Sequence, residues 1–265
     1  MRIAIVTGAS SGMGWDFALE LARFPRVEEI WLIARRTDRL EALAKEIKEY
    51  GVSARVLSMD LLQPVFIDKL VNLLTYEKPE IQFLVNSSGF GRFELTMETP
   101  QTTLMEMIDL NVKVLTSMCL LCIPWMTQGS AIINIGSLSA FQPVPYMNVY
   151  AATKAYVLSL SRALNVELEP RGIRVMAVCP GWVKTEFFDH AVLDNGAVKY
   201  YNKIWPSEAV VRRAMADLQR GRDVSILGFG VRAQVLLTKY LPHRLIMRIW
   251  LKQQGHTRKK GQNGS

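Results

Sequence analysis

Short apolar runs alternate with longer amphipathic segments over the first two thirds of the chain, and this alternation restricts the possible folds most strongly. Ile3–Val6, Ile30–Ala34 and Ile81–Val85 are typical of buried strands, whereas a segment such as Arg39–Tyr50 has the length and spacing of a helix. Continuous apolar strands separated by helices predict a parallel sheet with helices on both faces. We therefore expect one doubly wound α/β domain whose ligand crevice lies at the carboxyl ends of the strands.

The same pattern continues to about residue 180. Further strands are expected at Ala54–Met59, Ala131–Ile135 and Arg174–Val178, and further helices at Trp15–Phe24, Val65–Tyr76, Leu104–Met126 and Tyr150–Leu168. The long helix is expected to break at Pro124, because proline removes a backbone donor. We assign residues 1–230 to this domain, with a substrate lid at about 185–206, and residues 231–265 to a C-terminal extension.

A glycine-rich turn directly follows the first strand. Residues without Cβ atoms permit a tight turn, and they let a phosphate approach the backbone N–H groups at the start of the next helix. A purely structural turn is the alternative, but the position after the first strand of a βαβ unit favours dinucleotide binding. The expected contacts are Gly8, Ser10, Ser11, Gly12, Met13 and Gly14.

The residues after the second and third strands indicate which dinucleotide is bound. Arg35 and Arg36 stand where an NAD site would carry an acidic residue, and two guanidinium groups suit the 2′-phosphate of NADP(H). Solvated loop charges are the alternative interpretation. Asp60 and its neighbour Leu61 are placed to contact the adenine, although Asp60 could instead cap the following helix.

Tyr150 and Lys154 are four residues apart, so they share one helical face. An ammonium beside a phenol lowers the phenolic pKa from its ordinary value near ~10, which would let Tyr150 exchange protons with an alcohol or a carbonyl. Ser137 follows a buried strand, and its hydroxyl can hold the substrate oxygen. Asn111, on the long helix, is a candidate for holding a water against Lys154.

In these motifs the chain resembles the short-chain dehydrogenase/reductase family, in its smaller, classical type. The matching residues, in order, are Thr7-Gly8-x-x-x-Gly12-x-Gly14, Asp60, Asn86-x-x-Gly89, Asn111, Ser137, Tyr150-x-x-x-Lys154 and Pro180-Gly181. The resemblance implies a Rossmann-type sheet of about seven strands and an NADP(H)-dependent oxidoreductase.

The resemblance also implies residue roles. Asn111, Ser137, Tyr150 and Lys154 would form the catalytic tetrad, and Lys154 would also touch the nicotinamide ribose. The remaining implied coenzyme contacts are Asn86, Ser87, Gly89, Tyr150, Pro180, Gly181, Val183 and Thr185. The chain has Ser87-Ser88 where the family usually has Asn-Ala, so Ser87 has a shorter reach for a hydrogen bond across the sheet.

The segments expected on the substrate side are rich in aromatic residues, which predicts an apolar pocket under a lid. The expected substrate contacts are Ser137, Leu138, Phe141, Tyr146, Tyr150, Phe187 and Phe188. A lipophilic ketone or aldehyde, such as a steroid, a fatty-acyl derivative or a xenobiotic, is the first interpretation, and a 3-oxoacyl thioester is the second. A non-enzymatic dinucleotide sensor or scaffold remains a third, although such a protein would be expected to have lost the Tyr150–Lys154 pair.

The whole net charge of +8 arises in the last part of the chain, since Asp223 is the final acidic residue and eight basic residues follow it. The balanced remainder argues against a nucleic-acid binder. Between Leu241 and Lys252 the pattern predicts a basic amphipathic helix, which would contact an anionic membrane or else pack on its own domain or a second subunit. The last residues, Gln254–Ser265, are expected to be disordered.

Other features point to a cytoplasmic, metal-free protein. The pattern of a secretory signal is not seen, and the apolar run around Met118–Met126 is too short to cross a bilayer. Cys119 and Cys122 have no second cysteine pair or nearby histidine with which to bind zinc, so packing is expected of them. The resemblance suggests a homodimer or homotetramer formed through the helices Leu104–Met126 and Tyr150–Leu168.

Overall fold

The computed structural model describes residues 1–192 and 196–256, and the strands and helices alternate along most of this range. The strands are β1 Arg2–Thr7, β2 Glu29–Ala34, β3 Ser53–Ser58, β4 Glu80–Asn86, β5 Met126–Ile135, β6 Arg174–Val178, β7 Trp182–Lys184, β8 Ile204–Pro206 and β9 Val224–Ser225. The helices are α1 Gly12–Leu21, α2 Thr37–Lys48, α3 Val65–Glu77, α4 Gln101–Ile108, α5 Leu115–Cys122, α6 Asn148–Leu168, α7 Phe187–Ala191, α8 Ser207–Gln219, α9 Phe229–Thr238 and α10 His243–Gln253.

Seven strands form one parallel sheet in the order β3-β2-β1-β4-β5-β6-β9. The order reverses beside β1, which is where a doubly wound sheet opens a crevice at the carboxyl ends of its strands. The expected fold class is therefore confirmed. A separate two-stranded element pairs β7 with β8 above this edge.

Side chains of each central strand alternate between two helical layers. In β1, Ala4 and Val6 pack in the cluster that includes α1, α2 and α8, whereas Ile3 and Ile5 pack in the cluster that includes α3, α5 and α6. Both clusters consist of buried aliphatic and aromatic residues. Burial on both faces explains why these strands are continuous apolar runs rather than alternating ones.

The long helix in the middle of the chain differs from its expected form. A wide π-helical turn, Asp109–Val114, connects α4 to α5, and a single 3-10 turn at Ile123–Trp125 accommodates the proline. By length and composition the combined stretch Gln101–Trp125 would suffice to cross a membrane, contrary to the expectation from the apolar run around Met118–Met126 alone. Part of it packs on the sheet, and length and composition alone do not distinguish a core helix from a membrane-spanning one.

The C-terminal region packs on the domain, which is one of the alternatives that its amphipathic pattern left open. The expected boundary after residue 230 falls inside α9, so it does not separate two structural units. Gln254 is buried and accepts hydrogen bonds from the backbone N–H groups of Lys199 and Tyr200, so the expectation of disorder is wrong at this residue. Residues 257–265, which were also expected to be disordered, lie outside the described residues.

Candidate functional site

A cavity of about 1310 Å³ opens at the carboxyl edge of the sheet. Pockets for a single drug-sized ligand usually measure about 300–1,000 Å³, so this cavity has room for a dinucleotide together with a second molecule. Residues from the glycine turn, the end of β2, the loops after β4 and β5, the lid and α10 all line it. The expected crevice and this cavity therefore coincide.

The glycine turn has the backbone geometry that the sequence predicted. Gly8 and Gly12 have φ angles of +67° and +54°, which L-residues with side chains rarely adopt. A Cβ atom at Gly14 would collide with the carbonyl oxygen of Gly8, and one at Gly12 would lie 2.8 Å from Cγ2 of Thr185. Because these positions leave no room for side chains, the turn packs tightly on its own backbone next to the start of α1. A phosphate-binding turn needs this geometry, since the phosphate must approach the backbone N–H groups.

Thr7 and Asn86 stabilise the loop that follows β4. The Thr7 hydroxyl accepts hydrogen bonds of 3.1 Å from the backbone N–H groups of both Ser87 and Ser88. The contact across the sheet comes from Asn86, whose Nδ2 donates to Oδ1 of Asn134 over 2.9 Å. The unusual serines therefore bond through their backbone, and Asn86 supplies the link that was expected of Ser87.

Arg36 is already oriented toward the glycine turn. Its guanidinium donates to the Ser10 hydroxyl over 3.1 Å and to the Ser10 carbonyl over 3.3 Å. Arg35 also lines the cavity and has no described ion pair. Asp60 lines the cavity next to Leu61, and one of its oxygens accepts from the Leu62 N–H, so an Asx turn engages part of the carboxylate.

Ser137, Tyr150 and Lys154 are buried together at the inner end of the cavity. The hydroxyl of Ser137 is hydrogen-bonded to the phenol of Tyr150. Nζ of Lys154 lies 5.6 Å from the centre of the Tyr150 ring and donates to the Ile135 carbonyl over 2.8 Å. The helix α6 thus brings the phenol and the ammonium to one face, and β5 supplies the serine.

The electrostatics of this group differ from the expectation. Burial raises the pKa of Tyr150 to about 12, and the hydrogen bond with Ser137 opposes this shift. Burial also lowers the pKa of Lys154 to about 8. The expected lowering of the phenolic pKa is therefore not found, because loss of hydration on burial is the largest effect on the Tyr150 hydroxyl. A phenol that stays protonated is suited to donate a proton.

Asn111 lies beside the group and holds a neighbouring loop. Its Nδ2 donates to the Phe90 carbonyl over 2.9 Å and to the Thr153 hydroxyl over 3.1 Å, and its Oδ1 accepts from the Phe90 N–H. A Cβ at Gly89 would lie 2.7 Å from this oxygen and 3.5 Å from Nζ of Lys154. The amide is therefore committed to the loop, and the water contact expected of it remains a prediction.

Most of the expected coenzyme contacts reach the cavity. Those that line it are Gly8, Ser10, Ser11, Gly12, Met13, Arg35, Arg36, Asp60, Leu61, Ser87, Gly89, Tyr150, Lys154, Pro180, Gly181, Val183 and Thr185. Gly14 and Asn86 lie behind the lining, where the first permits the turn and the second links β4 to β5. Their direct contact with a coenzyme is not supported.

The substrate side agrees with the sequence in part. Leu138, Phe187 and Phe188 line the cavity, and Phe187 packs 5.5 Å from the Tyr150 ring. Phe141 and Tyr146 do not line it. Phe141 packs with the buried residues under β9, and Tyr146 stacks on His256 at 4.2 Å. Proximity to Ser137 in the chain could not tell which way these two rings point.

Residues from the C-terminal extension complete the cavity, and the sequence did not assign them to it. Trp250 on α10 donates to the Pro145 carbonyl over 3.1 Å and stacks 6.4 Å from Trp182. Ile246 is buried beside it. The amphipathic pattern around Trp250 was the available signal, but it did not show what the apolar face would contact.

Comparison with known proteins agrees with this geometry. The model of the short chain dehydrogenase family matches residues 2–195. The chain belongs to this family. Two curated relatives are the very-long-chain 3-oxoacyl-CoA reductases of Rattus norvegicus and Homo sapiens, which are 35% and 33% identical over 190 residues. Each match covers 69% of this chain and 60% of the relative, so a substantial part of those proteins has no counterpart in the alignment.

Two solved structures align over nearly the whole chain. A short-chain dehydrogenase from Sphingobium yanoikuyae in complex with NADPH has a TM-score of 0.78 and 32% identity, covering 91% of this chain and 97% of its own. A ketone-specific alcohol dehydrogenase from Comamonas testosteroni has a TM-score of 0.72 and 24% identity, covering 100% and 97%. At that identity the second comparison concerns the fold alone.

Proposed function

We propose that this member of the family is an NADP(H)-dependent oxidoreductase that interconverts a carbonyl and a secondary alcohol on a lipophilic substrate. One observation carries the proposal. Ser137, Tyr150 and Lys154 line the same cavity as the glycine turn and Arg36, so a proton donor and a dinucleotide cradle share one space. An intact Tyr150–Lys154 pair also favours an enzyme over a sensor or scaffold.

The proposed chemistry divides between the coenzyme and the chain. A coenzyme held by the glycine turn and Arg36 would supply the hydride for the carbonyl carbon. The Tyr150 hydroxyl donates its proton to the carbonyl oxygen, which the Ser137 hydroxyl holds in place. Lys154 stabilises the phenolate that remains, and in the reverse direction the phenolate takes the proton back from the alcohol. Because burial raises the pKa of Tyr150 to about 12, the phenol is protonated at neutral pH and can act as the proton donor.

The charge of the coenzyme site supports NADP(H). Arg35 and Arg36 line the adenosine end of the cavity, and arginine binds phosphate oxygens through two parallel hydrogen bonds. The relative from Sphingobium yanoikuyae, which is 32% identical, was solved with NADPH. A coenzyme with a 2′-phosphate therefore suits the arginines better than NAD(H) does.

The apolar wall of the cavity supports a bulky substrate. Phe93, Trp182, Phe187 and Trp250 surround the opening in front of Tyr150. A hydroxysteroid or another bulky ketone fits this wall. The names of the mammalian relatives favour a second candidate, the reduction of a 3-oxoacyl thioester. Both substrates present a ketone oxygen attached to an apolar body.

A substrate panel tests the function. Steroid ketones, 3-oxoacyl thioesters and small polar ketones would be supplied with NADPH or NADH, and coenzyme oxidation followed by absorbance. We expect turnover of at least one lipophilic class, faster with NADPH than with NADH. Turnover confined to small polar ketones, or none with either coenzyme, would overturn the proposal. The ratio between steroid and thioester rates decides between the two candidates.

We also infer that α10 contacts an anionic membrane surface. Ile246 is buried and Trp250 packs on the domain, whereas Leu245 and Ile249 are each 44% exposed, although Ile249 also lines the cavity. The outer face of the helix also carries a basic row formed by Arg244, Arg248 and Lys252. Basic and apolar side chains on one exposed helical face suit a surface of anionic lipid, and the same helix borders the cavity through which a lipophilic substrate would enter.

Vesicle flotation tests this contact. The full chain would be mixed with phosphatidylserine vesicles and compared with the triple variant Arg244→Glu, Arg248→Glu and Lys252→Glu. We expect the reversal to reduce the floating fraction at least about tenfold, because each basic residue near the surface contributes ~1 kcal/mol. The control reverses Lys45 and Lys48, which are exposed on α2, and should float like the parent. Equal flotation of all three proteins would overturn the inference.

A further inference from the structure

The carboxylate of Glu186 contacts the basic side chains at the end of the cavity where the adenosine of the coenzyme would bind. One oxygen is 2.8 Å from Nη1 of Arg36, and the other is 3.9 Å from Nη2 of Arg39. The Ser11 side chain forms a hydrogen bond with the same carboxylate. Arg36 also bonds to Ser10 of the glycine turn. An anion of the chain itself therefore already interacts with the side chains that suit a 2′-phosphate.

Glu186 is part of the lid and connects the two ends of the cavity. It follows Thr185, which lies against Gly12 of the glycine turn, and it immediately precedes α7. At the other end of that helix, the Ala191 carbonyl accepts a hydrogen bond of 2.8 Å from the Phe93 N–H. Phe187 packs on Tyr150. The Glu186 ion pair thus fastens the lid to the coenzyme site from the substrate side.

We propose that Glu186 determines coenzyme specificity and fastens the lid, because it competes with the 2′-phosphate of NADP(H) for Arg36. This inference rests on the proposed NADP(H) function. When the phosphate binds, Glu186 is displaced and α7 is released. NAD(H) lacks that phosphate, so it leaves the Arg36–Glu186 pair in place and the lid fastened.

Electrostatics and exposure make the exchange feasible. A phosphate dianion and a carboxylate repel each other when both lie on one guanidinium, so only one of them remains. Arg36 and Glu186 are 42% and 38% exposed, and ion pairs at such exposure are individually weak. The hydrogen bond from Arg36 holds the pKa of Glu186 below its usual range, so the carboxylate stays charged at neutral pH.

Titration of the two coenzymes with Glu186→Gln tests the competition. The amide keeps the size of the side chain and removes the charge, so the variant should bind NADPH about three- to fivefold more tightly than the parent. Its affinity for NADH should change less than about twofold. The control is Asp68→Asn, which removes an exposed carboxylate on α3 that does not line the cavity and forms no ion pair among the described residues. It should leave both affinities unchanged.

Hydrogen exchange supplies the second readout. The amides of Phe188, Asp189 and Val192 are hydrogen-bonded within the lid, so their exchange reports its release. In the parent, these amides should exchange faster with saturating NADPH than with saturating NADH. In Glu186→Gln the exchange should be equally fast with either coenzyme.

The outcomes separate this inference from the function on which it rests. If the parent binds neither NADPH nor NADH, the proposed function fails as well. If the parent binds NADPH but Glu186→Gln binds it equally or more weakly, only the competition is wrong, since the carboxylate then orients Arg36 instead. If the lid amides of the parent exchange at the same rate with both coenzymes, the proposed release of α7 is wrong.

Discussion

At the scale of single residues, burial governs the chemistry of the site. Tyr150 and Lys154 are both enclosed, and enclosure disfavours the charged form of each. The phenol therefore holds its proton more firmly, whereas the ammonium holds its proton less firmly. Ser137 offsets part of the first shift through its hydrogen bond. The pair is consequently suited to donate a proton to a carbonyl. The charge state of Lys154 limits the pH range in which this reduction is fast.

The pH dependence of turnover follows from these shifts. The pKa of Lys154 is lowered to about 8, so its charge is present below that pH and is lost as the pH rises through it. We expect kcat for carbonyl reduction to be level below pH 8 and to fall above it. Alcohol oxidation should instead gain from rising pH, since it needs the phenolate and the pKa of Tyr150 is raised to about 12.

A variant identifies the titrating group. The Lys154→Met variant should reduce the carbonyl slowly at every pH, and its kcat should not fall above pH 8. A pH profile of kcat at saturating coenzyme measures both effects. A fall that persists in this variant would show that another group titrates.

Sequence spacing predicted the reacting group because its members lie on two elements with simple geometry. Tyr150 and Lys154 are one helical turn apart, and Ser137 follows a buried strand. The direction of the Tyr150 pKa shift could not be predicted in this way, since it depends on burial. The partner of Arg36 was missed for a similar reason: Glu186 is distant in the chain, and only the folded lid brings it near.

At the scale of elements, a buried row of polar side chains fixes α6 relative to the sheet. Nδ2 of Asn86 donates to Oδ1 of Asn134, and Nδ2 of Asn134 donates to the Ser161 hydroxyl over 3.0 Å. The row runs from β4 through β5 to the helix that carries Tyr150 and Lys154. It therefore positions the reacting group from below, without touching the cavity.

Removal of the central amide should destabilise the protein. Asn134→Ala removes two buried hydrogen bonds, while Ser161 keeps its bond to the Val157 carbonyl and Asn86 keeps its contact with Cys119 Sγ. The expected cost is about 1–3 kcal/mol. Denaturant unfolding measures this as a lower midpoint. The control is Thr37→Ala, which removes an exposed hydrogen bond to Ser58 and should change stability by less than about 0.5 kcal/mol. Equal stability of both variants would contradict the role of the row.

The sequence predicted those elements whose buried residues follow a simple pattern along the chain. Six of the seven strands of the main sheet were expected. Five of them are central strands with buried apolar runs, whereas the edge strand β3 is only partly buried. The two-residue strand β9 was missed because it is too short to carry a pattern. The helix α8 was not recognised, although its apolar residues Val210, Val211 and Ala214 are buried against the sheet. Its many charged residues obscured that face.

At the scale of the whole molecule, the outer faces of the two central helices remain apolar. Leu120 on α5 is 62% exposed and Val166 on α6 is 67% exposed. Thr116 and Tyr156 join the two helices by a hydrogen bond of 2.9 Å, so they present one surface. Exposed apolar patches of this kind mark protein interfaces, and family resemblance suggests pairing through the same two helices.

We therefore predict that the protein is a dimer or tetramer that assembles through this surface. The double variant Leu120→Glu and Val166→Glu should lower the molar mass measured by light scattering, because two carboxylates cannot be buried without partners. Met97→Glu introduces the same charge at a side chain that is 95% exposed elsewhere, and it should keep the parental mass. A parental mass in the double variant would place the interface elsewhere.

The account as a whole depends on the Tyr150 phenol, and replacement of its hydroxyl is the most direct test. Tyr150→Phe keeps the ring, which packs on Phe93 and Phe187, so the cavity and the coenzyme site should stay intact. The decisive measurement is kcat for reduction of a lipophilic ketone, with NADPH affinity titrated in the same preparation. We predict a loss of about 10²–10⁴-fold in kcat with NADPH affinity unchanged. Turnover within a few fold of the parent would contradict the central claim.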